Sequence, residues 1–162
     1  IIVFTGGVEI GSNKEIIKKM LTPKTLSLMV AVPTANFLGS ILGGTIVGTI
    51  LSVPIKDSLL VSAGMGWYSF SSVVISAMYS TEVGTMSFIA NVMREMLSFL
   101  LVPLAAKFTD LPCVSIGGAS SMDSTLPVIL KYTNTQIAIV GFINGLIITL
   151  IVPFLITALL GI

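Results

Sequence analysis

After Lys131 the chain carries no charged residue, and residues 136–161 read QIAIVGFINGLIITLIVPFLITALLG. A helix crosses the hydrocarbon core of a bilayer in about 20 apolar residues. A segment this long and this free of charge has little open to it except a helix in lipid. Only 9% of the 162 residues are charged, whereas a soluble domain carries about a quarter. The chain therefore reads as a single all-α unit over residues 1–162, a polytopic transmembrane helix bundle of the cytoplasmic membrane with the lipid bilayer as its solvent. A net charge of +1 gives no support for nucleic-acid binding. One Cys and no His leave no intrachain disulfide and a poor basis for a zinc site. No cofactor is expected.

Three unbroken spans are expected, at 25–51, 85–106 and 136–161, the last with a kink at Pro153. In the first, Asn36, Ser40, Gly44 and Gly48 recur every four residues and form one small, polar face that suits close helix packing. The opening IIVFTGGVEI supplies only half a span, with Glu9 near its end and no initiator Met. It reads as the second half of a helix whose first half lies upstream or in another subunit. The following loop carries Lys14, Lys18, Lys19 and Lys24, the richest basic stretch, and is placed in the cytoplasm.

Two further apolar segments cannot be regular helices. Residues 58–79 contain GMGWYSFSS, and residues 111–130 contain SIGGASSMDSTLPV. Glycine pairs and Ser/Thr clusters weaken the helix and leave backbone groups free, which lipid does not tolerate. Such breaks must be buried in protein or line a polar cavity, so two discontinuous helices are expected. At an offset of 53, Val61, Ser62, Gly64 and Ser71 meet Val114, Ser115, Gly117 and Ser124. This is the pattern of an internal repeat, with units 25–79 and 85–130. If both broken segments cross the membrane, the repeats are parallel and loop Lys residues divide five inside to two outside. If both are re-entrant hairpins, the repeats are inverted and the division is six to one. The sequence leaves both open.

The chemistry collects at these breaks. In the span 85–106, Ser87, Asn91, Arg94, Glu95 and Ser98 share a face, with Arg94 and Glu95 diverging by about 100°. A charge at mid-span costs at least about 2.5–3.5 kcal/mol and normally faces a bundle interior or a watery cavity. Asp123 stands inside the second break, where it can attract a cation or carry a proton. It can equally cap the half-helix that follows. A helix restarting after a break aims its amides at the gap and favours anions there. An anion-binding end beside carboxylates suits a zwitterion with an extra positive charge. The expected substrate-binding set is therefore Asp123 and Glu95 for the cationic side chain, also titrating with a coupling proton. Arg94 and the amides near Ser120, Ser121, Ser69 and Ser71 would hold the carboxylate. Asn91, Ser124, Trp67 and Tyr68 complete the set, the two aromatics as walls. Without His to activate a serine, and without a phosphate loop, no catalytic constellation is present and the chain is not expected to be an enzyme.

GMGWYSFSS, NVMRE, SIGGASSMDSTLPVI and GFINGLIITLIVP together resemble the bacterial and archaeal lysine-exporter family over nearly the whole chain. The resemblance implies a multi-pass inner-membrane transporter that expels L-lysine or a related basic amino acid, coupled to a gradient of an ion such as H+ or Na+; antiport by alternating access around a site between the two broken segments is the expected mechanism. Many members carry His-Gly where this chain has Asn144 and Gly145, and some an acidic residue at Asn91. Coupling would then rest on Glu95 or Asp123, or on another ion. Two other readings are a non-transporting helical subunit packed against a partner or a second copy, and a channel.

Overall fold

The computed structural model describes residues 22–161, which are helical throughout apart from short connections. The expected half-helix 1–10, Glu9 and the first three lysines of the basic loop lie outside the described residues. Helix α1 (Pro23–Ile50) opens with a proline in its first turn, where the missing N–H costs nothing. Two short helices follow, α2 (Ile55–Ala63) and α3 (Tyr68–Met78). Then comes α4 (Thr81–Ala105), capped by Ser80, whose hydroxyl accepts from the Val83 amide. Next are α5 (Leu111–Gly117), a 3₁₀ turn (Gly118–Met122) and α6 (Leu126–Tyr132). Helix α7 (Thr135–Leu160) is capped by Asn134, continues through Pro153 and stops at Gly161, φ +82°.

Three of these, α1, α4 and α7, are long and apolar enough to cross a membrane. Their outward faces carry large exposed apolar side chains, among them Leu42, Ile46 and Ile50 on α1, Ile89, Met93 and Leu100 on α4, and Leu150 and Phe154 on α7. Such surfaces suit hydrocarbon and not water.

The short helices pair as two hairpins. With nine and eleven residues, α2 and α3 are about 14 and 17 Å long, half of a bilayer core of about 30 Å. Their feet meet: the Tyr79 hydroxyl donates to Asp57 at 2.8 Å, and the Lys56 ammonium lies 4.9 Å over the Tyr79 ring. Had the segment crossed, Asp57 and Tyr79 would stand a membrane thickness apart. The second hairpin is closed likewise, by Asn134 donating to Asp110 at 3.2 Å. Because α4 leads from the feet of the first to the feet of the second, the two pairs of feet lie at opposite ends of that helix. Their tips meet in the middle, where the Ala119 amide donates to the Met65 carbonyl at 2.9 Å.

Small residues allow this packing. Gly44 and Gly48 of α1 abut Ser62 and Ser58 of α2, and Gly84 of α4 abuts Ser76 of α3. A side chain at any of the three would overlap its neighbour. Two apolar cores result. Leu60, Ile75, Val83, Ile148 and Val152 pack around the first hairpin. Val102, Cys113, Val114, Ile129 and Val140 pack around the second.

Candidate functional site

Each tip is an irregular turn held by an asparagine from the long helix that follows it. At the first tip Met65 and Gly66 adopt positive φ, +45° and +98°. The Gly66 amide then donates to Asn91 Oδ1 at 2.7 Å, while Asn91 Nδ2 donates to the Val61 and Ser87 carbonyls at 3.2 and 2.8 Å. At the second tip Gly118 takes φ +65°, and its carbonyl accepts from Asn144 Nδ2 at 3.0 Å. Asn144 also donates to Ser121 Oγ at 2.9 Å, and Ser121 lies 2.7 Å from the Gly141 carbonyl. These bonds satisfy backbone groups that lipid would leave stranded.

A cavity of about 360 Å³ lies beside the joined tips. The first tip contributes Gly66, Trp67, Tyr68 and Ser69; the second contributes Ala119, Ser120, Met122, Asp123 and Ser124; α4 adds Glu95 and α7 adds Thr149. Two carboxylates share one hydroxyl there, since Ser124 Oγ contacts Glu95 Oε1 and lies 3.4 Å from Asp123 Oδ1. The Ser124 amide donates to Asp123 at 2.6 Å. The Tyr68 ring lies edge-on to Phe88 at 5.6 Å, and its hydroxyl interacts with Glu95. Trp67 stacks on Phe70 at 4.7 Å. Every hydrogen bond to the carboxylates thus comes from a neutral group, and among the described residues neither forms an ion pair. Two such anions repel each other and favour a cation between them.

Seven of the eleven expected residues line this cavity: Asp123, Glu95, Ser120, Ser124, Trp67, Tyr68 and Ser69. The other four do not. Ser71 is buried and bonds to Ser87 at 3.1 Å, Ser121 faces α7, and Asn91 is spent on the first tip. Arg94 points the opposite way from Glu95, as the divergence of adjacent helical positions requires. Its guanidinium donates to the Ser115 and Ile116 carbonyls at 2.9 and 3.3 Å, to Asn36 Oδ1 at 2.8 Å and to Ser40 Oγ at 3.1 Å. Arg94 and Asn91 stand instead at the inner end of a second cavity, about 540 Å³, between α1, α2 and α4. Its walls are mainly apolar or small, among them Gly43, Val47, Leu51, Met86 and Ile89.

Two residues of this arrangement escape the sequence reading as site residues, Asn36 and Asn144. Both are buried, and Asn36 Nδ2 reaches Asn144 Oδ1 at 3.5 Å. The signal for Asn144 was an amide inside an otherwise uncharged span.

A family profile described as "Lysine exporter LysO" matches residues 1–160. A Haemophilus influenzae protein named "Putative lysine exporter" is 33% identical over 154 residues, 95% of this chain and 77% of that protein. The Escherichia coli protein named "Lysine exporter LysO" is 28% identical over 156 residues, 96% of this chain. The chain spans about half, 51%, of that second relative. No solved structure matches the chain. Both relatives are named as exporters, which are membrane transporters and not enzymes. With the profile matched almost end to end, and with both tips, both carboxylates and both asparagines inside the matched stretch, the chain belongs to the lysine exporter family.

Proposed function

We propose that the chain forms the carrier core of an exporter of L-lysine, with the cavity between the hairpin tips as its substrate site. The observation that carries this reading is the pair Glu95 and Asp123, bridged by Ser124 and without a counter-cation among the described residues. They receive the side-chain ammonium. The substrate carboxylate lies toward the start of α3, an eleven-residue helix whose first-turn amides have no partner inside it. Ser69 and Tyr68 line that end of the cavity. A proton binding the same carboxylates competes with the ammonium, and this competition is the coupling step of an antiport.

Alternating access follows from two hairpins that enter from opposite ends and meet at the site, each acting as the gate on its own side. The unit boundaries that fit this scheme are hairpin plus following span, 55–105 and 111–160, shifted from the span-first units expected above. At the offset of 53, Asp57 and Tyr79 at the feet match Asp110 and Tyr132, and Asn91 at the first tip matches Asn144 at the second. Among the described lysines, Lys24, Lys107 and Lys131 lie toward one end of the bundle and Lys56 toward the other. The Lys-rich end, where α1 starts, is the cytoplasmic one.

The test is competition in lysine counterflow, with the full-length protein in proteoliposomes. Unlabelled lysine and ornithine should inhibit. Norleucine, with the same carbon chain but no terminal amine, should inhibit at least about 50-fold less well, from the charge-assisted bonds it lacks. Equal inhibition by norleucine would mean that the carboxylates do not read the amine.

A further inference from the structure

The polar network on the far side of the tips has no task in that reading of the cavity. Its centre is Arg94, half-buried at mid-span, where a charge is retained only for a reason. We propose that Arg94 is a positioning residue: it latches the second hairpin tip to α1, thereby fixing where Asp123 stands, and does not contact the substrate carboxylate.

The bonds dictate this role. Four of its five N–H groups are taken up by the four acceptors described above. Two of those acceptors, the Ser115 and Ile116 carbonyls, belong to the last turn of α5. Carbonyls at a helix C-terminus lack intrahelical partners and form the negative end of the dipole, so a cation is favoured there. The other two, Asn36 and Ser40, sit one turn apart on α1. The guanidinium therefore ties α1 to the tip through α4. Asn36 extends the tie to Asn144, which holds Gly118 and Ser121 from the opposite side.

Glycine at 118 is part of the device. A Cβ there would overlap the Met65 carbonyl of the first tip and come 2.9 Å from Arg94 Cζ, so a bare Cα leaves room both for the joined tips and for the guanidinium. From Gly118 the chain is a tight 3₁₀ turn ending in Asp123, whose amide donates to the Ser120 carbonyl at 3.1 Å. A displaced tip carries Asp123 with it. Because Arg94 and Glu95 are adjacent on one rigid helix, the latch also fixes the separation of the two carboxylates. All four acceptors are neutral, so the grip depends on the fork of the guanidinium as well as on its charge. Lysine at 94 would keep the charge and lose the fork.

This inference rests on the lysine reading of the cavity for its functional half only, and two measurements separate them. The first is amide hydrogen exchange on the full-length protein in lipid nanodiscs. Arg94→Gln, Arg94→Lys and Asn36→Leu should each speed exchange of residues 117–123, by about tenfold for Arg94→Gln, and leave residues 64–69 unchanged. Unchanged exchange at 117–123 overturns the latch, whether or not the protein moves lysine.

The second measurement compares the concentrations of lysine and of cadaverine, lysine without its carboxylate, that half-inhibit counterflow. The amount of folded protein does not alter these values. Displacing Asp123 weakens both ligands by the same factor, about three- to tenfold in Arg94→Lys. A loss confined to lysine, with cadaverine unaffected, would make Arg94 a direct ligand of the carboxylate and overturn the proposal. Should the parent show no lysine exchange, the transport reading fails on its own and hydrogen exchange still decides the latch.

Discussion

At the scale of single residues, adjacent positions of one helix divide the work. Glu95 turns into the cavity and Arg94 turns away to the α5 carbonyls, although both stand at mid-span. The hydrophobic surroundings make each polar contact expensive to remove. Asn91→Leu and Asn144→Leu leave buried backbone groups at a tip without partners. Each should cost about 1–3 kcal/mol of stability. Denaturant titration in detergent, with leucine chosen to keep the volume, measures this; an unchanged midpoint would show that the tips do not depend on these bonds. In the cavity, Glu95→Gln keeps the shape and removes one charge. It should weaken lysine by about 10- to 100-fold, from the 1.5–3 kcal/mol of a charge-assisted bond, read as the half-saturating concentration for counterflow.

At the scale of elements, the hairpins exist because glycine permits what their tips require. Gly66 has φ +98°, and a Cβ there would come 3.2 Å from the Gly117 carbonyl of the other tip. Gly66→Ala therefore strains one turn and pushes on its partner. A sparsely populated backbone conformation costs about 1–3 kcal/mol. The expected result is a lower thermal midpoint together with slower lysine exchange; a variant as stable and as active as the parent would refute the account of the tip joint. The breaks themselves were legible in GMGWYSF and SIGGASSMD, because glycine and serine clusters have no reason to interrupt apolar runs otherwise. Asp123, Tyr68 and Ser124 stand in or beside those clusters, and Glu95 stands out as a charge at mid-span. Ser71, Ser121, Asn91 and Arg94, grouped with them by motif and by helix face, do not line the cavity. Which side of a tip a polar side chain serves depends on tertiary packing, and helical spacing alone does not carry that information.

At the scale of the molecule, α1, α4 and α7 form a frame and the two hairpins fill it from opposite ends. Charge bias could not choose between crossing and re-entrant segments, since one lysine, Lys107, decided the count. The choice lies in long-range pairs such as Asp57 with Tyr79, which periodicity does not reveal. Cysteines placed singly at Ser52 and Ser80 should react with an impermeant thiol reagent from one side of the membrane. Cysteines at Thr109 and Thr133 should react from the other. Labelling of Ser52 and Ser80 positions from opposite sides would contradict the hairpin arrangement and the inverted units with it.

The central claim is that the carboxylates between the tips bind the amine of the transported amino acid. Its most direct test is lysine counterflow by the full-length protein in proteoliposomes, parent against Asp123→Asn, with thermal midpoints matched to show equal folding. The account predicts saturable exchange in the parent and a loss of at least about tenfold in the variant, from one charge-assisted bond. Equal exchange by the two would show that Asp123 does not bind the amine and would contradict the account.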